Sequence, residues 1–251
     1  MAQVEFHFRQ FSIRQEKSLL KVCTDACVFG AWTVDQLKQE GTFHPVAGLD
    51  IGTGTGLLSL QLVQELQVQM DAIEIDQGSA EEAAENFDSS LWREQLRVYH
   101  QDARTFVPDR QYQLMVSNPP FFDDDLLPKH AGRRMAKHES GMGLEWLLAA
   151  CSQWLETGGY LSLLLPADRN TSAVELAGKE GLTLHRMAWL KQTGQHAPFR
   201  CLLLFRKGIV ATVMPEAETI VIRENGFYSD RFDALMAPFY LPLYHERFRK
   251  K

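Results

Sequence analysis

Three acids, three glycines and one asparagine recur in this chain at spacings that could do chemistry. In LDIGTGTG, residues 49–56, Gly52, Gly54 and Gly56 follow a G-x-G-x-G spacing, with Asp50 two residues before the first of them. Glycines at such a turn allow positive φ and let a ligand come close to the backbone. The spacing differs from the G-x-G-x-x-G of dinucleotide oxidoreductases. A carboxylate here disfavours a pyrophosphate and favours a ligand that carries an ammonium group and a sulfonium. Glu74, in AIEID (72–76), stands where a carboxylate can take both hydroxyls of a ribose, with Asp76 as the competing candidate. Asp102, with Ala103 beside it in YHQDARTF (99–106), could accept the exocyclic amine of an adenine; the alternative is a solvated loop acid. Glycine loop, ribose-binding acid and adenine-binding acid in that order are what S-adenosylmethionine requires, and that cofactor is expected.

The second constellation is VSNPPFF, residues 116–122. Pro119 and Pro120 fix φ near −65° and cannot donate to a ladder, so carbonyls at this tip are presented to a ligand. Methylating an exocyclic amine needs such a device. The nitrogen lone pair is delocalised into its ring, and two acceptors gripping the two N–H bonds would favour pyramidal geometry. The Asn118 side-chain carbonyl and the Pro119 backbone carbonyl could be those acceptors. Preorganised dipoles and alignment would supply the rate, and no strong base is needed before transfer. Phe121 is expected to stack on the base plane, worth roughly 1–3 kcal/mol; Phe122 is expected in the core.

These residues need elements to hold them. The chain has 251 residues, is 45% hydrophobic and can bury one substantial core. Short apolar runs alternate with amphipathic stretches. Strands are expected at 46–51, 69–75, 96–100, 112–117 and 160–166, and helices at 56–66, 79–92 and 144–156, the last stopped by Gly158-Gly159. That order implies an α/β fold: a Rossmann-like, mostly parallel sheet with helices on both faces. TLHRMAWLKQ and RCLLLFRKG read as two more strands, a hairpin closing the sheet edge. A single domain is expected, with 1–44 as an amino-terminal extension, 45–210 as the cofactor-binding core and 211–251 as a carboxy-terminal extension. For 208–251 the expectation is two strands and a helix capping the sheet, without an assigned role.

Net charge is −6, from 32 acids and 26 bases, which argues against a surface that binds nucleic acid as a whole. Cys23, Cys27, Cys151 and Cys201 form no metal-ligand pattern, so no metal is expected. The amino terminus lacks the apolar region of a signal peptide, and the longest apolar run is too short to cross a bilayer. A cytoplasmic monomer is expected.

DIGTGTG, EID, QDA and NPPF, in this order, resemble the class I S-adenosylmethionine-dependent methyltransferases that modify amino groups. FRQFSIRQEKSLLKVCTDACVFGAW (8–32), SNPPFF (117–122), KHESGMGLEWLLAACSQWLETGG (137–159) and LLLPADR (163–169) narrow the resemblance. It is to the bacterial enzymes that methylate N6 of adenine 37, beside the anticodon, in a valine tRNA. The resemblance runs over residues 5–210 and implies a seven-stranded sheet, S-adenosylmethionine as methyl donor and a tRNA substrate. It carries Asp50, Gly52, Gly54, Gly56, Glu74, Asp102 and Ala103 over as cofactor contacts, and Asn118, Pro119, Pro120 and Phe121 as the catalytic tip. It also suggests that KVCTDA (21–26) helps close the cofactor pocket. Cys27-Val28-Phe29 departs from the smaller or aliphatic residues expected there.

A tRNA would have to be held by clustered cations. KHAGRRMAKH (129–138) supplies Lys129, Arg133, Arg134 and Lys137 directly after the tip; Arg9, Arg14, Lys17 and Lys21 interleave with Phe6, Phe8 and Phe11; Arg247, Arg249, Lys250 and Lys251 end the chain. Such contacts position a substrate without identifying its base. Guanine N2 in ribosomal RNA, adenine in DNA and a protein glutamine offer the same sp2 NH2 to the tip, and stay open on the tip chemistry. A nicotinamide oxidoreductase is opposed by the glycine spacing, and a noncatalytic nucleic-acid module by the intact Asn118 tip.

Overall fold

Strands buried on both faces read as continuous apolar runs, and this chain has several. The computed structural model describes residues 4–41, 43–119, 143–209 and 215–242. A hairpin of β1 (Glu5–His7) and β2 (Ser12–Arg14) leads into helix α1 (Thr24–Gln39). Then come β3 (Ala47–Ile51), α2 (Leu57–Leu66), β4 (Gln69–Glu74), α3 (Gln77–Asp88), β5 (Leu96–His100) and β6 (Tyr112–Ser117). The second half holds α4 (Leu144–Trp154), β7 (Leu155–Pro166), α5 (Asn170–Lys179), β8 (Leu182–Thr193), β9 (Arg200–Lys207), β10 (Glu218–Glu224), β11 (Phe227–Tyr228) and α6 (Asp230–Met236).

The main sheet has nine strands in the order β11-β10-β8-β9-β7-β6-β3-β4-β5. Pairings from β5 across to β7 are parallel, and β9 runs antiparallel to both β7 and β8. The α/β expectation holds, with two differences. The sheet continues past seven strands because ETIVIRE, rich in β-branched residues, adds β10 parallel to β8 and buries Ile220 and Ile222. The β8–β9 hairpin is consequently internal to the sheet and does not close its edge. Two strands and a helix, β10, β11 and α6, account for the described part of the carboxy-terminal extension.

Side chains alternate between two cores. Along β7, Tyr160 and Leu164 face α1, α2, α3 and α6, while Leu161, Leu163 and Leu165 face α4 and α5. Leu202 and Leu204 of β9 join the first core, Leu203 and Phe205 the second. Gly158-Gly159 does not separate α4 from a strand as expected. Strand β7 begins at Leu155 and passes through both glycines, and the pairing with β6 shifts from Tyr112↔Leu155 to Leu114↔Tyr160. Gly158 supplies a φ of +85°, and a Cβ on Gly159 would stand 2.9 Å from the Gln113 carbonyl oxygen. The glycines mark a bulge, one of the two positional meanings glycine has in strands.

Helix α1, an element outside the sequence reading, is almost wholly buried and carries Cys27, Val28 and Phe29 into the first core. The atypical trio is therefore packing, away from any chemistry. Trp32 Nε1 donates to Glu218 Oε2 at 3.1 Å, and Arg231 bridges Glu218 (2.5 Å) and Asp35 (2.7 Å), which ties α1, β10 and α6 together.

Candidate active site

The strand order turns at β3, with β4 and β5 to one side and β6 and β7 to the other. Ligands of open α/β sheets bind outside the carboxyl ends at such a switch point. The glycine loop leaves β3 there. Gly52, Gly54 and Gly56 have φ of +75°, +57° and +84°, the left-handed region that glycine enters without a steric cost. A Cβ on Gly52 or Gly54 would meet nothing within 4 Å, so the loop fronts open space, whereas one on Gly56 would press to 2.4 Å from the Phe87 ring. The loop hangs on β4: Gly52 N and Thr53 N donate to the Ile73 carbonyl at 2.9 and 3.1 Å, and Gly54 N donates to Glu74 Oε2 at 2.8 Å.

Glu74 and Asp76 separate by function of their oxygens. Asp76 Oδ2 caps α3, accepting from Ser79 N at 2.8 Å and Ser79 Oγ at 3.0 Å. Glu74 instead faces the loop, its other oxygen accepting from Asp76 N at 2.9 Å, and burial raises its carboxyl above the ordinary range against those backbone donors. Carboxylate oxygens have further lone pairs, so Glu74 retains acceptor capacity at the crevice.

Asp50 lies beneath the loop rather than on its surface. It is fully buried, and its Oδ2 accepts from Thr53 Oγ1 at 2.6 Å and Ser59 Oγ at 2.9 Å. Its Oδ1 has no partner, and burial pushes the carboxyl up to about 6. Asp50 thus supports the loop from below through Oδ2 and leaves Oδ1 open to a further donor. Asp102 has partners of its own. It caps the turn 103–105 through Arg104 N (2.9 Å) and pairs with the Arg104 guanidinium at 2.5 Å, so an adenine amine would share it with a cation. Ala103 is buried beside it.

Asn118 follows Ser117, which pairs with Ile51, the residue before Gly52. Ser117 Oγ also donates to the Ile51 carbonyl at 2.7 Å. Asn118 is half-buried and Pro119 buried, so the tip begins beside the first glycine. Pro120, Phe121 and Phe122 lie outside the described residues, as do Lys129, Arg133, Arg134 and Lys137 and the cations of the carboxy-terminal tail.

The amino-terminal segment is clamped to α3. Backbone N–H groups of Glu16, Lys17 and Ser18 donate to the buried Glu82 carboxylate at 2.5, 3.0 and 2.8 Å. Asn86 accepts from Arg14 N (2.8 Å) and donates to the carbonyls of Arg14 (3.0 Å) and Thr55 (2.9 Å), joining this strap to the glycine loop.

With this geometry, the comparisons with known proteins are specific. A family model described as "Methyltransferase small domain" matches residues 20–173. A "tRNA1(Val) (adenine(37)-N6)-methyltransferase" of Tolumonas auensis is 38% identical over 243 residues, covering 94% of this chain and 96% of that protein. One of Dyadobacter fermentans, with the same description, is 35% identical over 240 residues, 94% and 97% of the two chains. The chain belongs to this methyltransferase family. Among solved structures, a predicted O-methyltransferase from Agrobacterium tumefaciens superposes with a TM-score of 0.65 at 16% identity, over 86% of this chain and 96% of that one. A putative class I S-adenosylmethionine-dependent methyltransferase from Listeria monocytogenes gives 0.59 at 17%, over 89% and 70%; both are likenesses of fold.

In this methyltransferase the amino-terminal cations are largely used inside the protein. Arg9 donates to the Ala237 carbonyl at 2.9 Å, Lys17 pairs with Glu85 at 2.7 Å, and Lys21 donates to the carbonyls of Gln15 and Ser18. Phe8 and Phe11 are buried. Three of its cations thus help clamp the amino-terminal segment. Sequence reasoning missed Glu82, Asn86, Ser117, Thr53 and Ser59. The last two sit within reach of the glycine motif and were findable as hydroxyls flanking its acid; Glu82 and Asn86 have partners 64 to 72 residues away, and no local signal announces them. Among the described residues no helix is long and apolar enough to cross a membrane, and no cluster of three His, Cys, Asp or Glu could hold a metal.

Proposed function

We propose that this enzyme transfers a methyl group from S-adenosylmethionine to the N6 amine of adenine 37 in a valine tRNA. The observation that carries the reading is the position of Asn118: the Ile51↔Ser117 pairing and the Ser117 hydroxyl set it beside Gly52, at the switch point of the sheet. The curated relatives, similar from end to end, support the substrate.

The residues present fit the cofactor on two counts. An open cradle fronts Gly52 and Gly54, and a buried carboxylate oxygen of Asp50 lacks a donor, which favours a cationic amino-acid group above it. S-adenosylmethionine supplies an electrophilic methyl carbon when bound. Glu74 would take ribose hydroxyls, and the 102–103 turn would flank the adenine. The Asn118 side-chain carbonyl and the Pro119 carbonyl would accept the two N–H bonds of the target amine, turning its lone pair out of conjugation and aiming it. They act as fixed dipoles, so their contribution needs no reorganisation during transfer. The target base must leave its stack to reach them.

The test is mass spectrometry of digested valine tRNA from a strain lacking the gene and from the same strain complemented. Loss of N6-methyladenosine at position 37, restored by the gene, is expected. Its persistence in the deletion, or loss of a methyl group from another nucleotide of that tRNA instead, overturns the assignment.

A further inference from the structure

Residues 181–215 contain Arg186, Lys191, Arg200, Arg206 and Lys207 and no aspartate or glutamate, in a chain whose acids outnumber its bases 32 to 26. Residues 182–207 of that stretch form the β8–β9 hairpin, and the register shows where its tip lies. Ser117 pairs with Leu163, Pro166 with Arg200, and Arg200 with Leu190. Strand β8 then continues to Thr193, about 10 Å past the level of Pro166 at a usual rise per residue. The tip therefore projects from the same edge of the sheet as Asn118, displaced by three strand spacings, roughly 14 Å. It stands to one side of the crevice, beyond the carboxyl ends of β6 and β7.

The tip is preorganised and presents an aromatic ring among cations. Phe199 N donates to the Leu190 carbonyl at 3.0 Å and His196 N to the Thr193 carbonyl at 3.1 Å. Lys191 Nζ donates to the Gly194 carbonyl at 3.1 Å, and Thr193 Oγ1 and His196 Nδ1 are 2.6 Å apart. Phe199 keeps 36% of its surface exposed, with the Arg200 guanidinium 5.7 Å from its ring centre. Arg223 of β10 pairs across from Thr193 and extends the cationic edge; the acids near the tip include Asp25, bonded to Arg200, Glu224, and Asp168, which follows the Ala167 whose N–H donates to the Phe199 carbonyl. Phe199 thus offers part of its ring to solvent at the end of a hairpin whose own residues include no acid. Basic groups interleaved with aromatic rings are the chemistry that holds single-stranded nucleic acid.

We propose that the β8–β9 hairpin tip is an RNA-holding surface, with Phe199 stacking on an unpaired base near the target adenine and Lys191 meeting the phosphate backbone. The proposal rests on the tRNA reading above and adds where the loop is gripped. Three variants of the full chain test it: Phe199→Ala, Lys191→Gln, and Gln195→Glu, which adds a charge at an exposed position without removing a described contact. tRNA dissociation constants are measured across salt concentrations, alongside S-adenosylmethionine affinity, kcat and melting temperature. Phe199→Ala should weaken tRNA binding roughly tenfold, within the range for one base–aromatic stack. Lys191→Gln should lower the salt slope by about one. Cofactor affinity and melting temperature should stay at wild-type values. Wild-type tRNA affinity and slope in all three variants would overturn the hairpin while leaving the tRNA activity standing. A wild-type enzyme that neither binds nor methylates tRNA would bring down both.

Discussion

The proposed function gives Asn118 and Asp50 different parts, which single substitutions can separate. Asn118→Ala removes one of two acceptors for the target amine but none of the glycine loop. Cofactor binding should stay within a few-fold of wild type while methyl transfer is lost, as isothermal calorimetry beside a methyl-transfer assay would show; undiminished turnover would refute the role of Asn118. Asp50 should show itself in pH dependence. Its folded carboxyl sits at about 6, raised chiefly by burial and further by nearby Glu74, while Thr53 and Ser59 pull it down. The folded state then holds a proton that the unfolded chain, near the ordinary value of about 4, has already released. Stability from this group is full below about pH 4, is lost as pH rises toward 6, and above that leaves a constant cost on the order of 3 kcal/mol. Relative to Asp50→Asn, the ligand-free wild type should lose about that much stability between pH 3 and 7.5, read from paired urea titrations. A difference that does not move with pH would mean that Asp50 titrates normally. The identity of these residues was legible from spacing alone. Their geometry was not: whether Asp50 faced a ligand or the underside of the loop depended on Thr53 and Ser59 turning inward.

Elements meet at the strap and at the bulge. Helix α3 receives the amino-terminal strap through Glu82 and Asn86, and through Asn86 it also holds the Thr55 carbonyl of the glycine loop. Removing the buried Asn86 amide leaves the Arg14 N–H without its acceptor and the Arg14 and Thr55 carbonyls without their donor, a cost of roughly 1–3 kcal/mol. Asn86→Ala should therefore loosen residues 14–22 and weaken S-adenosylmethionine binding together. Hydrogen exchange should show faster amides at Glu16 to Ser18 in the variant, partly protected again by saturating cofactor. Unchanged exchange there would mean that the strap is held by its other contacts. The sequence showed an amphipathic α3 but could not show what its polar face held. Gly158-Gly159 teaches the converse: two glycines after a helical pattern read as a stop, yet here they carry a strand past a register shift. Glycine permits both outcomes, and only the partner strand chooses between them.

At the scale of the whole molecule, the carboxy-terminal extension belongs to the same core as the catalytic sheet. Glu218 receives Trp32 from α1 and Arg231 from α6, so Glu218→Ala leaves an indole N–H and a guanidinium without their shared acceptor. A destabilisation of about 1–3 kcal/mol follows, and in a chain of this size that lowers the melting temperature by about 2–4 °C per kcal/mol. Calorimetry should find this loss with cofactor affinity unchanged; an unaltered melting temperature would show that the bridge adds nothing to the fold. What the sequence determined by itself is the order of elements from 46 to 166 and the two strands β8 and β9, without the helix α5 that precedes them, because glycine spacing, apolar periodicity and proline act through neighbouring residues. The tertiary structure alone decided that β10 lengthens the sheet, that Glu82 and Asn86 clamp the amino terminus, that Asp50 supports the loop from beneath, and that the β8–β9 tip projects from the same edge of the sheet as Asn118. Each of those depends on groups far apart in the chain meeting across a packed core, and a contact of that kind leaves no local pattern to read.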